Sequence, residues 1–169
     1  MGRPMNNEPV KMQERATRCK TCELIARRDS ANAPLWDSIY RTPYWDVVHS
    51  FNTALPGWIC LIARRHIAAI DEMTEDEAAE LGSLIRRVSV ALRSAANCEK
   101  TYAVQFAEAA GHNHVHFHVV PRVADLPEDF RGPLIFRYLG VPVDQRVSES
   151  AMNELALKIR ESLQAQTEK

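Results

Sequence analysis

Apolar residues cluster in five short stretches of the chain, each bounded by turn-forming residues, and this pattern predicts β-strands. The stretches cover residues 35–40, 44–51, 58–64, 101–107 and 114–120. Pro43 and the turn Leu55-Pro56-Gly57 separate the first three stretches. We therefore expect residues 35–64 to form an antiparallel meander.

Two other stretches repeat their apolar residues at helical spacing, which predicts amphipathic helices. The first begins at Thr74, where Glu77 completes a capping box, and runs to about Ser94. The second covers residues 150–164. The segment that starts at Cys19 is expected to be partly helical. Residues 121–147 carry four prolines and predict irregular structure with a short helix near Phe130.

The order of these elements predicts an α+β fold, an antiparallel sheet of about five strands with a long helix packed on it and a C-terminal helix. Three parts are expected along the chain. Residues 1–17 predict a flexible N-terminal extension, and residues 18–125 predict the main domain. Residues 126–169 predict a C-terminal extension whose amphipathic helix packs on the same domain.

Composition and charge exclude several classes of function. The chain has 169 residues, 46% of them hydrophobic, which is enough for one core. A net charge of -1 with scattered basic residues predicts no nucleic-acid partner. The chain lacks the apolar run of a secretory signal or a membrane span, so we expect a cytoplasmic protein with no membrane partner. Four cysteines in such a protein argue against a disulfide framework.

Residues 111–121 place a histidine at every second position, at His112, His114, His116 and His118. On a strand these side chains share one face, while Val115, Phe117 and Val119 line the other. Alternate residues lie about 6.6 to 6.8 Å apart, so one zinc ion could bind two neighbouring histidines at most. These four histidines could contribute metal ligands or surface hydrogen bonds. Alternatively, a middle histidine could be a nucleophile, with a histidine on each side to donate protons or stabilise charge, and this arrangement suits attack on phosphorus.

The segment His114-Val115-His116-Phe117-His118-Val119-Val120 resembles the signature of the histidine triad family. The resemblance extends through most of residues 19–122, with a Cys-x-x-Cys pair near the start and His49 followed by Pro56. The stretch from Trp58 to His66 also resembles a family segment of Gly, His, an apolar strand, Lys, Arg and His. Residues 18–125 are therefore expected to be a HIT domain.

The resemblance implies a catalytic role for four histidines. In this superfamily the middle histidine attacks the α-phosphorus of a nucleotide, so His116 would form a covalent nucleotidyl-histidine. His118 would hydrogen-bond the phosphate or the leaving-group oxygen, and His114 would position the site or bind metal. His49 matches an upstream histidine that helps hold the site together, although it could equally be a satisfied histidine in a strand.

The phosphate contacts depart from the family pattern. Gln105 stands roughly where relatives carry Asn, and His112 and Asn113 stand where relatives commonly carry Gln or Ser. These three residues and His118 are the substrate-binding candidates. The acidic ribose-binding residue of several relatives has no clear counterpart near Arg41.

Cys19-Lys-Thr-Cys22 has the spacing of a zinc knuckle, but the chain has no second Cys-x-x-Cys pair. The other two ligands would then be histidines, with His66 and His114 as candidates. The same Cys, Cys, His, His set occurs in zinc-containing relatives, which implies a structural zinc. Free thiols are the alternative, and a redox pair lacks the strand-then-helix context.

The resemblance also implies a homodimer and an adenine nucleotide substrate, for example a dinucleoside polyphosphate such as diadenosine tetraphosphate. The reaction class stays open. Water as the acceptor would make the protein a hydrolase, and phosphate would make it a phosphorylase. A substrate with a P–N bond would make it a phosphoramidase. A hypothesis of another class is a non-catalytic, zinc-stabilised nucleotide-binding or adaptor protein with a vestigial triad.

Overall fold

A computed structural model describes residues 19–30 and 33–167 of the chain. The predicted extension over residues 1–17 lies outside the described residues. No helix in the described part of the chain is both long enough and apolar enough to cross a membrane.

Within the described residues the sheet has five strands, and every neighbouring pair is antiparallel. The strands are β1 (Tyr40–Arg41), β2 (Trp45–His49), β3 (Ile59–Ala63), β4 (Lys100–Val104) and β5 (His116–Arg122). Their spatial order is β1-β2-β3-β5-β4, so β5 lies between β3 and β4. The predicted antiparallel sheet of about five strands is therefore confirmed.

The predicted strand over residues 35–40 is wrong for most of its length. Leu35–Asp37 forms a 3-10 helix instead, and only Tyr40 and Arg41 enter the sheet. The N–H groups of Asp37 and Ser38 donate to the Pro34 and Leu35 oxygens within this turn, so they do not pair with a neighbouring strand. The Asp37 side chain is 2% exposed and accepts hydrogen bonds from Arg27 and Arg28.

Residues 19–30 and 33–167 hold three α-helices: α1 (Lys20–Asp29), α2 (Glu75–Ala95) and α3 (Glu149–Ala165). The predicted capping box starts α2, because the Glu77 N–H donates to the Thr74 hydroxyl and the Thr74 N–H donates to the Glu77 carboxylate. A buried stripe on α2 then faces the sheet, and α3 packs against α2. The long helix and the C-terminal helix are therefore both confirmed.

The two faces of the sheet carry separate apolar clusters. On the first face, α2 and α3 cover Ile59, Leu61 and Val119 together with the other inward residues of that face. On the second face, α1 and the segment after β5 contribute Ile25 and Ile135 to a cluster around Trp58. The histidines of β5 lie on this second face, so the functional site is built there.

Residues 126–147 follow β5 as irregular chain with three short 3-10 helices. One of them covers Glu128–Phe130, as expected from the sequence. The segment is held to the loop after β2 by backbone hydrogen bonds, from Ala54 N–H to the Tyr138 oxygen and from Gly140 N–H to the Asn52 oxygen. These bonds hold one wall of the site in place.

Candidate functional site

A cavity of about 300 Å³ opens on the second face of the sheet. Its floor comes from alternate residues of three strands, which point to the same side because of the strand period of two. The floor residues are Val48, Cys60, Ile62, His116 and His118. The walls come from α1, Asp37, the loops after β2 and β4, and Phe136 and Leu139 of the C-terminal segment.

His116 is oriented by the backbone of its own strand. Its Nδ1 lies 2.7 Å from the carbonyl oxygen of His114. Because a carbonyl only accepts, Nδ1 carries the proton and Nε2 carries the lone pair. Burial lowers the pKa of His116, and the hydrogen bond to His114 opposes this in part. The ring is therefore a neutral imidazole that can act as a nucleophile at Nε2.

His118 lies beside His116 on the cavity floor, with ring centroids 4.9 Å apart. Its Nδ1 lies 2.9 Å from the indole Nε1 of Trp58, which donates a hydrogen bond. Burial, together with a smaller effect of the nearby His116, lowers the pKa of His118 to about 3. Two neutral imidazoles thus lie next to each other in one cavity.

His49 lines the cavity, but both of its ring nitrogens are engaged by backbone groups. Nδ1 donates to the Ser50 oxygen at 2.7 Å, and Nε2 accepts from the Gly57 N–H at 2.9 Å. Burial lowers the pKa of His49 to about 4. The ring thus joins the two ends of the loop between β2 and β3, which suits a supporting role.

The three remaining candidates for phosphate contacts are placed differently. His112 lines the cavity and its Nδ1 lies 3.0 Å from the hydroxyl of Thr21 on α1. Gln105 directly follows β4, because the predicted strand to residue 107 ends at Val104. Gln105 and the exposed Asn113 are not among the described residues that line this cavity.

Several lining residues were not singled out from the sequence. Ser50 and Asn52 follow His49 on the loop after β2, and the Ser50 hydroxyl donates to the Asn52 side-chain oxygen at 3.0 Å. Their closeness to His49 in the sequence was an available signal. Phe106 and Phe136 stack edge to face with ring centroids 5.2 Å apart. No local pattern indicates that Phe136, some 18 residues after the triad, reaches the cavity.

A buried ion-pair network forms the wall near α1. The Arg28 guanidinium donates to the carboxylates of Asp37 and Asp46, and all three side chains are almost fully buried. Arg41 also binds Asp46, at 2.6 Å. Arg28 and Asp37 both line the cavity. The carboxylate at this end of the site is therefore Asp37, which comes from the 3-10 helix that the sequence did not predict.

A second cluster, formed by Cys19, Cys22, His66 and His114, lies beside the cavity. One ligand atom from each residue lies within 4.8 Å of the other three. The Cys22 sulfur is 3.3 Å from Nδ1 of His66 and 3.5 Å from Nδ1 of His114. The Cys19 sulfur is 3.6 Å from the same His114 nitrogen. The sequence predicted these four residues as a set, and the fold brings them together.

The cluster fits a tetrahedral metal ion. Zn–S bonds of about 2.3 Å and Zn–N bonds of about 2.1 Å place ligand atoms roughly 3.4 to 3.8 Å apart, close to the distances found here. His114 donates from Nε2 to the Ala63 oxygen at 2.6 Å, so Nδ1 keeps its lone pair for a metal. Burial and the neighbouring Cys19 raise the pKa of the Cys22 thiol to about 12. A divalent cation bound to this sulfur would stabilise the thiolate and so lower the pKa of Cys22.

The family model of the HIT domain matches residues 36–125. This region is more than half of the chain and includes the whole sheet. The chain belongs to the HIT domain family. The matched region holds the histidine triad of this HIT protein and the loop after β2. It leaves out Cys19, helix α1 with Cys22, and the C-terminal segment that supplies Phe136.

Solved structures of other HIT proteins share the fold. A Zn-bound histidine triad family protein from Mycobacterium smegmatis is 18% identical, with a TM-score of 0.64 over 91% of this chain and 99% of that chain. A hypothetical histidine triad nucleotide-binding protein from Sulfolobus tokodaii is 19% identical, with a TM-score of 0.63 over 85% and 93%.

A third similar structure is a HIT-like protein from Bartonella henselae, described as involved in cell-cycle regulation and as holding an unknown ligand. It is 18% identical, with a TM-score of 0.62 over 84% of this chain and 93% of that chain. At these identities the likeness establishes the fold alone. No curated protein matches the chain.

Proposed function

We propose that this HIT protein is a nucleotide hydrolase or nucleotidyl transferase in which His116 attacks the α-phosphorus of the substrate. The observation that carries the proposal is the hydrogen bond from His116 Nδ1 to the His114 oxygen, which leaves the lone pair on Nε2 in a buried cavity. A lone pair held in a fixed direction is what a nucleophile needs.

The reaction proceeds in two displacements. The Nε2 lone pair of His116 forms an N–P bond while the bond from phosphorus to the leaving oxygen breaks, and that oxygen leaves with the electron pair. Water or another acceptor then attacks the same phosphorus and breaks the N–P bond, which returns the lone pair to Nε2. When the acceptor is water, its proton is released to solvent. His118 hydrogen-bonds the phosphate throughout, because its ring adjoins that of His116.

The substrate we propose is an adenine nucleotide, for example a dinucleoside polyphosphate. A cavity of about 300 Å³ is within the size range of small-molecule sites. Val48 and Ile62 give its floor an apolar part for a base, while Ser50 and Asn52 give it polar groups near the histidines. The Sulfolobus relative named as nucleotide-binding supports the same substrate class.

His49 and His112 have supporting roles in this proposal. His49 holds the loop after β2 through both ring nitrogens, so we place it as a positioning residue. His112 lines the cavity and contacts Thr21, so it is available to a phosphate oxygen. Gln105 and Asn113 remain proposed phosphate contacts, which would require the loop after β4 to close over a bound substrate.

We further propose that Cys19, Cys22, His66 and His114 hold a structural zinc ion. A bound zinc would tie α1 to the strand that carries the nucleophile. Support comes from the tetrahedral spacing of the four ligand atoms and from the Zn-bound relative of Mycobacterium smegmatis. Thr21, Leu24 and Arg28 of α1 line the cavity, so the metal would also hold a cavity wall in place.

A homodimer is the proposed assembly. In the described part of the chain, β4 is at one edge of the sheet and pairs with β5 only. An edge strand of five residues offers backbone groups to a second copy. Analytical ultracentrifugation over a range of protein concentrations tests this, and a mass of one chain at every concentration would reject it.

The function is tested by a turnover panel of dinucleoside polyphosphates, adenosine phosphoramidates and nucleotide sugars, with and without added phosphate. Products identify the bond cleaved and the acceptor. Quenched reactions should contain protein with the added mass of a nucleotidyl group, and His116→Asn should not. Tight nucleotide binding without turnover or adduct would point instead to a non-catalytic binding protein.

A further inference from the structure

Trp58, the residue directly before β3, is fully buried on the floor side of the cavity and contacts His118. Its indole Nε1 lies 2.9 Å from Nδ1 of His118, and the two rings meet edge to face with centroids 5.7 Å apart. Neither residue is near the other in the sequence. The contact is therefore made by the register in which β3 and β5 pair.

The indole N–H decides the protonation of His118. An indole nitrogen is a donor only, so the Nδ1 atom that it contacts must be unprotonated. The Cys60 sulfur lies 3.5 Å from the same nitrogen, and burial raises the pKa of this thiol to about 12, so it keeps its proton. Both neighbours of Nδ1 can donate. A neutral His118 then has its proton on Nε2.

The surroundings also keep His118 neutral. Phe136 packs edge to face on the His118 ring at 5.3 Å and on Trp58 at the same distance. Burial lowers the pKa of His118 to about 3, so the imidazolium is rare near neutral pH. Nε2–H is therefore a hydrogen-bond donor that does not depend on pH in the physiological range.

His116 has the opposite tautomer. Its Nδ1 donates to the His114 oxygen, so its Nε2 carries a lone pair. Two rings with centroids 4.9 Å apart thus present different atoms: a lone pair on His116 and an N–H on His118. A backbone carbonyl fixes the first tautomer and a tryptophan fixes the second. Nucleophile and donor are distinguished without any proton transfer between them.

We propose that Trp58 is a positioning residue that fixes His118 as the Nε2–H tautomer, so that His118 presents a neutral donor to the phosphate. Its consequence for catalysis rests on the proposed function, whereas the tautomer itself does not. As the N–P bond to His116 forms, negative charge grows on the phosphate and leaving oxygens. A donor already aimed at that charge needs no reorganisation during the reaction.

The test is the tautomer of His118 in the free, full-length protein. Long-range proton–nitrogen NMR on ¹⁵N-histidine-labelled protein distinguishes a protonated from an unprotonated ring nitrogen, and a His118→Gln variant assigns the signals. We expect Nδ1 of His118 to be unprotonated and Nε2 protonated. Trp58→Phe keeps most of the ring volume but removes the N–H, so part of the population should move its proton to Nδ1.

Trp45→Phe is the matched control. Trp45 is also fully buried and lies on the opposite face of the sheet. Its Nε1 donates to the backbone carbonyl oxygen of Glu77 at 3.1 Å. The Trp45→Phe variant therefore also loses an indole N–H and a similar amount of packing, but the contacts of His118 are unchanged. The His118 signals should keep their wild-type pattern in this variant. A shift equal to that of Trp58→Phe would reject a specific role for Trp58.

Kinetics separate positioning from general destabilisation. Trp58→Phe should lower kcat by about tenfold and change KM little, because the donor matters most in the transition state. Trp45→Phe should keep kcat near the wild-type value. An unchanged kcat in Trp58→Phe with a shifted tautomer would overturn the catalytic part of the proposal.

Two outcomes overturn the inference as a whole: a protonated Nδ1 on His118 in the wild-type protein, or an unchanged tautomer in Trp58→Phe. The first is measured without any variant, so poor folding of Trp58→Phe does not block the test. The spectra need no substrate. A protein with the expected tautomer and no turnover would reject the proposed function alone, and turnover with the other tautomer would reject this inference alone.

Discussion

The carbonyl oxygen of His114 accepts a hydrogen bond from Nδ1 of His116 at 2.7 Å, while the His114 side chain lies within the cysteine–histidine cluster. One residue therefore joins two sites. Its ring nitrogen Nδ1 faces Cys19 and Cys22, and its backbone orients the proposed nucleophile. An ion held by the cluster would restrain His114, and through it the direction of the His116 ring.

The first prediction concerns the metal. Protein purified without chelator should contain close to one zinc ion per chain, and the pair of substitutions Cys19→Ser and Cys22→Ser should lose it, because neutral hydroxyls are poor zinc ligands. Metal content is measured by mass spectrometry. Cys98→Ser, at a buried cysteine outside the cluster, should keep its zinc. Wild-type protein that neither contains nor takes up zinc would refute the metal site.

The second prediction concerns the nucleophile. His116→Asn should reduce kcat by about a thousandfold or more, because the amide has no lone pair able to form the N–P bond. The Asn amide can still donate to the His114 oxygen, so circular dichroism and the unfolding midpoint should stay near those of the wild type. Turnover by this variant at a rate close to the wild-type rate would assign the nucleophile to another residue.

The third prediction concerns His49. His49→Ala should lower the free energy of unfolding by about 2 to 4 kcal/mol, because it leaves a cavity and two unpaired backbone groups, the Ser50 oxygen and the Gly57 N–H. Urea denaturation measures the loss. His112→Ala removes a half-buried ring and should cost less. Equal losses in the two variants would contradict the supporting role of His49.

The fourth prediction is a pH dependence of stability. The hydrogen bonds from Arg65 lower the pKa of Glu77, and the cap at Thr74 lowers it further, while burial opposes both. A lowered carboxyl pKa stabilises the fold above the unfolded-state pKa of about 4.3, and this contribution is lost as the pH falls through the lower folded-state pKa.

Glu77→Gln should therefore lower the free energy of unfolding by about 1 to 3 kcal/mol at pH 7. The difference from the wild type should shrink as the pH falls below about 4. Denaturation at several pH values measures both effects. A difference that stays constant down to pH 3 would show that the charge of Glu77 contributes nothing.

The fifth prediction concerns the C-terminal wall. Phe136→Ala should raise KM by about tenfold, because the ring lines the cavity and its loss removes apolar contact area and admits water. Phe130→Ala is the control, since its ring packs on Tyr138 at 4.5 Å and is not among the cavity-lining residues described. Steady-state kinetics compare the two variants, and a KM that rises equally in both would contradict a specific role for Phe136.

Local patterns predicted the parts of the fold that depend on local physics. The capping box at Thr74 and Glu77 satisfies amides within one helical turn, so its residues are close in the sequence. The alternation along β5 separates His116 and His118 from Phe117 and Val119 by strand geometry alone. The strand predicted at residues 35–40 is wrong at Leu35–Asp37, where the chain forms a 3-10 turn and Asp37 pairs with Arg27 and Arg28 of α1, contacts that an apolar pattern does not encode.

The sequence by itself determined the α+β fold, the two long helices and the shared face of His116 and His118, because each follows from a local periodicity; His112 and His114 lie before β5. The set Cys19, Cys22, His66 and His114 came from the Cys-x-x-Cys spacing together with the resemblance to zinc-containing histidine triad proteins. Only the tertiary structure decided which ring nitrogens of His116 and His118 are protonated. That choice depends on single donors and acceptors: the His114 oxygen for His116, and the indole of Trp58, which lies 60 residues before His118. The Trp58 contact arises from the pairing of β3 with β5, and no periodicity in the chain specifies it.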